Sequence, residues 1–338
     1  MREIDFILDR EEEEQFGNFL MCDYGYAHFT IKELMKSGVF IDRIAPDVNF
    51  LLEHGQETFK EFYRLIMREP NNFRDPGLWA LYWALTEATH TIADMVSSGS
   101  HEPELNGALI AAAATSVRKF RSSSVDTDSE GVRDCVILNI ADMANHGNEG
   151  KTGSDFGLII ELRRGDERDY LVTLVQAKRA DSRSISVQRA AGDSTQLEKL
   201  CLFDTGTYLF YNQFTAQGNV PPTSKSALLV HQESSGTGLG IDPLRLASDF
   251  PAHVALLLTS GWHGSVHCKT PEDALASLFN PQIPEIYVND LMVCVLDQEA
   301  LTYREIATIR QSWDALTVDA RNQFSPPASS TTTTDYTG

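Results

Sequence analysis

Gly153-Ser154-Asp155-Phe156-Gly157, followed after a turn at Arg164-Gly165-Asp166-Glu167 by Val175-Gln176-Ala177-Lys178, is the stretch that decides the fold. Residues 156–162 and 170–178 are apolar runs bounded by turn residues, so they read as the two arms of a β-hairpin. Side chains alternate along a strand, so Gln176 and Lys178 share one face while Ala177 points the other way, into packing. Asp155 stands at the entry to the first arm, where a hairpin can bring it level with Gln176 and Lys178. A carboxylate, an amide carbonyl and an ammonium then converge at one end of a sheet. Oxygen donors of this kind suit Mg²⁺. A neighbouring lysine suits an attacking water or charge developing on a phosphorane.

Outward from the hairpin, His101-Glu102-Pro103-Glu104 opens a helix whose apolar face is Leu105, Leu109, Ala113, Val117 and Phe120. A polar loop over 122–130 and a strand over 135–140 separate that helix from the hairpin. After the hairpin come a helix over 196–203 and a strand over 207–211. Helix, three strands, helix, strand is the order of a compact α/β unit.

With Asp155 and Gln176-Ala177-Lys178 behind a Glu-headed helix, the chain resembles the PD-(D/E)xK nuclease superfamily, the restriction-endonuclease-like fold. In particular it is similar to the Q-x-K branch, which includes type IV restriction enzymes and many bacterial defence effectors. The resemblance covers about residues 101–213. Gln196-Leu197-Glu198-Lys199-Leu200, leading to Tyr208-Leu209-Phe210-Tyr211-Asn212, also resembles the segment after the Lys strand in bacterial members. The resemblance implies a mixed central sheet flanked by helices.

The resemblance also implies roles. Asp155 is the principal metal ligand, Gln176 takes the place of the usual second carboxylate, and the Ala177 carbonyl is an extra ligand. Lys178 positions and activates water. The helix carboxylate is Glu102 or Glu104, with Glu102-x-x-Leu105-Asn106 fitting the E-x-x-L-T pattern slightly better. The implied cofactor is Mg²⁺ or Mn²⁺, the implied ligands Asp155, Gln176 and Glu102. The implied activity is hydrolysis of nucleic acid, DNA favoured over RNA, by a regulated effector of anti-phage defence. The alternative is an inactive relative acting as a sensor or interaction subunit. Two residues depart from the pattern: Gln176 removes a negative charge from the metal site, and Ser154 replaces the Pro of the family name.

Charge qualifies this reading. The 338 residues carry 28 Lys+Arg against 48 Asp+Glu, net −20, which argues against indiscriminate duplex binding and against docking on anionic lipid. The excess is uneven: net −9 over 1–100, −4 over 101–235 and −7 over 236–338, so the flanks hold most of it. Arg118, Lys119, Arg121, Arg163, Arg164, Arg179, Arg183 and Arg189 fall in the central unit; Arg118, Arg121, Arg179, Arg183 and Arg189 are the expected phosphate contacts.

The expected organisation is a mainly helical region over 1–100, the nuclease-like core over 101–235, an α+β extension packed on the core over 236–323, and a disordered Pro/Ser/Thr-rich tail over 324–338. In the first region Thr30 is expected to cap a helix stopping at Ser37-Gly38, and Phe59, Phe62, Leu65 and Ile66 suit a second helix. Asp75-Pro76 starts a third, whose Trp79 and Trp83 lie in a pattern apolar nearly all round. That helix is either central or, like the acidic flanks, a surface for a protein partner or a second copy. After Gln213 strands are expected over 227–230, 254–258 and either 286–288 or 292–296, with helices over 271–279 and 303–316.

Other signals are weak. Gly147-x-x-Gly150-Lys151-Thr152 has Asn145 where a phosphate loop needs glycine. Gly236-Thr237-Gly238-Leu239-Gly240 reads as a flexible loop, and Glu149 is a lesser ligand candidate. His263-x-x-x-His267-Cys268 has metal-like spacing without an obvious fourth ligand. Five scattered cysteines, no apolar run long enough to span a membrane and an acidic N-terminus fit a cytoplasmic protein.

Overall fold

The computed structural model describes residues 15–16, 18–20, 24–41, 44, 62, 66–118, 134–143, 154–187, 190–191, 194–202, 206–213, 220–237, 240–259, 263–278, 288 and 290–324. Glu149, the Gly147–Thr152 stretch, the 122–130 loop and the 325–338 tail lie outside them, as do most of residues 59–66.

Helix α1 (Tyr24–Lys36) stops at Ser37-Gly38, where Gly38 takes a φ of 74° that glycine reaches without a Cβ penalty. Thr30 is buried in the middle of α1 rather than capping it. Helix α2 (Pro76–Thr91) starts where Asp75 and Pro76 say it should: Asp75 Oδ1 accepts from Gly77 N–H at 2.9 Å and Leu78 N–H at 3.4 Å. Trp79 and Trp83 are fully buried, and both indole N–H groups donate to the Met67 carbonyl, at 2.8 and 2.9 Å. The Trp79/Trp83 face is therefore core, which selects the central placement of the two alternatives over the interaction surface. Helices α3 (Ala93–Ser97) and α4 (Glu102–Ser116) complete the helical layer before the sheet.

The strands are β1 (Asp134–Asp142), β2 (Phe156–Arg164), β3 (Glu167–Ala180), a short β4–β5 pair (Ala190–Ala191, Ser194–Thr195), then β6 (Gly206–Asn212) after helix α5 (Gln196–Leu202). Beyond them come β7 (Thr223–Ser226), helix α6 (Ala227–Thr237), β8 (Ser248–Asp249), helix α7 (Phe250–Leu257), β9 (Val266–Cys268), helix α8 (Pro271–Ala276), β10 (Asp290–Leu301) and helix α9 (Tyr303–Phe324). Among the described residues the main sheet is mixed and eight-stranded, in the order β1-β10-β2-β3-β6-β7-β8, with β9 paired to β3. The hairpin forms as read, Phe156 opposite Val175 and Arg164 opposite Glu167, with β6 parallel to β3 on its other side.

The fold corrects some of the expected elements and decides between others. Residues 227–230 and 254–258 fall in or beside α6 and α7, not in strands. Of the two alternatives for the last strand, 292–296 lies within β10. Nor are residues 236–323 an extension packed on a core, because β10 is hydrogen-bonded in the middle of the sheet, antiparallel to β1 and parallel to β2.

The two sheet faces bury separate cores. Phe156, Leu158, Ile160, Val175, Ala177, Leu209 and Tyr211 pack with α2, α4 and α7. Ile159, Val172, Leu174, Tyr208 and Phe210 pack with α5, α6, α8 and α9. Helix α2 approaches β1 so closely that a Cβ on Gly77 would stand 2.9 Å from the Cys135 carbonyl oxygen. Trp313 of α9 donates to the buried Glu161 Oε2 at 2.7 Å, fixing that helix on β2. The result is helices on both faces of a mixed sheet.

Candidate functional site

Asp155 lies one residue before β2. Its backbone N–H donates to the Val175 carbonyl at 2.7 Å, and the hairpin register sets it opposite Gln176. Its Oδ2 accepts twice, from Ala177 N–H at 2.7 Å and from Gln176 Nε2 at 2.9 Å. Strand β3 runs on past the start of β2, so the N–H groups beyond this point need partners from elsewhere. Glu102 supplies one. Its Oε1 accepts from Arg179 N–H at 2.9 Å, and its Oε2 stands 3.9 Å from Lys178 Nζ.

The Ala177 and Arg179 N–H groups are successive donors on one side of β3, about 7 Å apart at the usual strand rise. Two carboxylates from distant parts of the chain are thus anchored side by side on one strand edge. Helix α4 reaches that edge because Asn106, one turn in from Glu102, accepts from the buried Tyr211 hydroxyl at 2.8 Å.

Glu104 points elsewhere. Its Oε2 accepts from the His101 N–H at 3.3 Å at the start of α4, a helix-capping role. Of the two candidates left open by the sequence, Glu102 is the one beside Lys178.

Gln176 is fully buried. Its Nε2 also donates to the Ala177 carbonyl, at 3.1 Å, while its Oε1 has no hydrogen-bond partner among the described residues. An orphaned buried acceptor costs on the order of 1–3 kcal/mol. The Asp155 carboxylate and the Ala177 carbonyl beside it, with the Glu102 carboxylate on the next outward N–H of β3, offer the hard oxygen chemistry that Mg²⁺ or Mn²⁺ takes. With the amide turned over, Oε1 would face Asp155 Oδ2 and the Ala177 oxygen, an arrangement that a bound cation would hold together. The residues present therefore fit such an ion. Among the described residues no three His, Cys, Asp or Glu side chains gather as a metal site, and here the third side chain is an amide.

The sequence pattern did not flag Tyr208, which pairs with Gln176 across β3 and β6. Its buried hydroxyl has no hydrogen-bond partner among the described residues; burial above all, then the charges of Cys201 and Asp155, push its pKa up. Alternation from the Lys178 strand to an aromatic next strand is the signal that could have found it. At the same end of the sheet Asp142 faces Asp290, whose carboxyl is pushed up by burial and then by the Asp142 charge.

Among the described residues the expected basic cluster does not assemble. Arg179 gives its guanidinium to Gly99 O (3.0 Å), Gln213 Oε1 (2.7 Å) and Asp181 Oδ1 (3.3 Å), so it staples the end of β3 to the segment before α4. Arg183 is exposed and pairs with Asp242 at 3.3 Å. Arg118 follows the C-terminus of α4, about 24 Å along the helix from Glu102 at 1.5 Å per residue. Arg163 and Arg164 close β2 at the end opposite Asp155, more than about 25 Å away along the strand, and Arg163 pairs with Glu161 at 2.6 Å. Lys119, Arg121 and Arg189 lie outside the described residues.

The His263/His267/Cys268 group also separates. His267 is exposed on β9 opposite Leu171, and the buried Cys268 Sγ lies 3.4 Å from Ser277 Oγ. No helix among the described residues is long and apolar enough to cross a membrane. In comparison with known proteins, no family model, no curated protein and no solved structure matches this chain.

Proposed function

We propose that this chain is a nuclease dependent on Mg²⁺ or Mn²⁺, with a restriction-endonuclease-like core and its site at the Asp155 end of β3. The observation that supports this best is the placement of Asp155 and Glu102 on neighbouring N–H groups of one strand edge, with Gln176 and Lys178 between and beside them. Asp155, Gln176 and Glu102 would hold the ion, with the Ala177 carbonyl as a further oxygen. Bound there, the ion would supply Lewis acidity at a scissile phosphate.

The chain's own residues account for the rest. Glu102 holds the Lys178 ammonium near the metal ligands, and Lys178 is nearly buried, which strengthens its field on nearby oxygens. Lys178 orients a water for in-line attack and balances charge that develops on phosphorus. Without an ion, Gln176 holds the Asp155 carboxylate in place through its amide hydrogen bond; with an ion bound, the turned amide would offer its oxygen instead. Nucleic acid, DNA in preference to RNA, is the substrate class. The net −16 carried by residues 1–100 and 236–338 together suits an effector that does not grip nucleic acid until directed to it, as in anti-phage defence.

A second reading is an inactive relative used as a sensor or interaction subunit. It is favoured by Gln176 in place of a carboxylate and by Arg179 being committed to the protein itself. Titration calorimetry of Mg²⁺ and Mn²⁺ into the full chain separates the two: saturable binding abolished by Asp155→Ala supports the nuclease, and no binding to the folded parent supports the second reading.

A further inference from the structure

The end of the sheet opposite Asp155 gathers three arginines around one cavity. Arg163 of β2 pairs with Asp297 of β10 on one side and Arg168 of β3 on the other. The three residues form a row across the sheet, on the face that Trp313 of α9 covers through Glu161. Arg304, in the first turn of α9, joins that row, and with Leu301, Glu305 and Ile309 they line a cavity of about 410 Å³.

Like charges set directly opposite on an antiparallel pair repel, so Arg163 facing Arg168 calls for an anion nearby. Within the chain Glu161 supplies one. Its Oε1 accepts from Arg163 Nε at 2.6 Å and lies 3.9 Å from Arg168 Nε, while its Oε2 accepts from Trp313. Arg168 also ties the hairpin turn, donating from Nη1 to the Gly165 and Glu167 carbonyls. These bonds leave much of each guanidinium over. Among the described residues both Nη groups of Arg163, Nη2 of Arg168 and the whole Arg304 guanidinium make no hydrogen bond. Solvent reaches all three: the Arg163 and Arg168 side chains are 18% and 34% exposed, and Arg304 is exposed.

We infer that this cavity binds an organic phosphate monoester, with its phosphate on the forks of Arg163, Arg168 and Arg304 and its organic part against Leu301 and Ile309. The donors and the space select that class. A guanidinium is a planar fork that pairs bidentately with oxyanions. Three forks suit the three terminal oxygens of a monoester better than the two of a carboxylate or a diester. A cavity of about 410 Å³ is the size of a small-molecule site, larger than a bare phosphate fills, and Leu301 and Ile309 give the remainder an apolar wall. Two carboxylates share the lining. Glu305 is turned back to cap α9, its Oε2 accepting from the Thr302 N–H and hydroxyl, each at 2.7 Å, and Asp297 is nearly buried. They offset part of the positive charge and so hold the affinity to a moderate value. The site goes beyond the proposed nuclease centre: Arg163 lies about 26 Å along β2 from Asp155 at the usual strand rise, and no metal enters it.

The test titrates the full chain by calorimetry, with a chelator present, against AMP, inorganic phosphate and adenosine. AMP should bind one-to-one with Kd below about 1 mM at low salt, inorganic phosphate a few-fold more weakly and adenosine at least tenfold more weakly. Arg304→Glu, at an exposed position without a partner among the described residues, should lose at least tenfold in AMP affinity with no change in Tm. Asp155→Ala should bind AMP as the parent does, whether or not the nuclease reading holds. A short oligonucleotide distinguishes the source of the phosphate. Displacement of AMP only when the strand carries a 5′-phosphate assigns the site to a nucleic-acid end, and no displacement assigns it to a free small molecule. The inference is overturned if AMP does not saturate, if adenosine or phosphate alone binds as well as AMP, or if Arg304→Glu binds AMP like the parent. It is equally overturned if Asp155→Ala abolishes AMP binding, or if the oligonucleotide competes as well without its 5′-phosphate.

Discussion

Asp155 and Glu102 accept hydrogen bonds from successive outward N–H groups of the same strand, Asp155 from Ala177 and Glu102 from Arg179. One carboxylate comes from the hairpin and the other from a helix well before it in the chain. A strand edge left open where β2 starts thus organises the candidate centre, and variants at this edge probe it.

Gln176→Glu puts a carboxylate where an amide N–H now donates to Asp155 Oδ2. Without metal, two like charges meet in a buried place, so the variant should be less stable than the parent by about 1–3 kcal/mol. Adding Mg²⁺ should raise the Tm of the variant more than that of the parent, because a ligand stabilises in proportion to its affinity for the folded state. Equal metal-induced shifts in a thermal scan would show that residue 176 does not face the ion.

Glu102 and Glu104 should separate cleanly. Glu104→Ala removes a capping contact and should cost roughly 0.5–1 kcal/mol of stability with activity retained. Glu102→Ala leaves the Arg179 N–H and the Lys178 ammonium without their carboxylate, and should lower the cleavage rate at least tenfold. Paired urea denaturation and rate measurements on the two variants check this.

Trp83→Ala should be among the most damaging single changes, about 3–5 kcal/mol by chemical denaturation, since it empties a fully buried site and removes an indole donor from the Met67 carbonyl. An exposed Trp83 at a partner interface would instead leave the monomer's stability nearly unchanged.

Two buried groups set opposing pH slopes. Burial pushes the Asp249 carboxyl up to about 7 and pulls His253 down to about 3. Between about pH 4 and 6.5 the folded chain keeps an Asp249 proton that the unfolded chain releases, so this residue makes stability fall as pH rises. In the same window the unfolded chain protonates His253 and the folded chain does not, so that residue makes stability rise with pH. Asp249→Asn keeps an acceptor for the Ala252 N–H and removes the falling contribution. Relative to the parent, the variant should therefore gain stability with rising pH, by at most on the order of 1.4 kcal/mol per unit. Parallel stability curves at about pH 4.5 and 6.5 would contradict the assignment.

The parts of this fold legible in the sequence are those set by local chemistry. The β2–β3 hairpin is written in two apolar runs around a turn, and α2 in Asp75-Pro76. Helices α6 and α7 read as strands because a short, wholly buried apolar run has no periodicity to distinguish the two. Asp249-Phe250-Pro251 carries the same start signal as Asp75-Pro76 and identifies α7; Asp249 Oδ1 indeed accepts from Ala252 N–H at 2.9 Å. The central place of β10 is a parallel pairing with residues far earlier in the chain, which no local pattern announces. In the site, Asp155, Gln176 and Lys178 are legible from strand alternation. The choice of Glu102 over Glu104 depends on which carboxylate reaches the open edge of β3. Nearness in sequence groups the arginines, although α4 and β2 carry Arg118 and Arg163 far from that edge.

The most direct test of the central claim is cleavage of supercoiled plasmid and of single-stranded DNA and RNA by the full chain, with Mg²⁺, Mn²⁺ or a chelator, alongside Asp155→Ala and Lys178→Ala. The account predicts metal-dependent cleavage by the parent, none with chelator, and at least about a hundredfold loss in each variant with the fold intact by circular dichroism. Cleavage by Asp155→Ala and Lys178→Ala at the parent's rate, or a folded, metal-loaded parent that cuts none of these substrates, would contradict it.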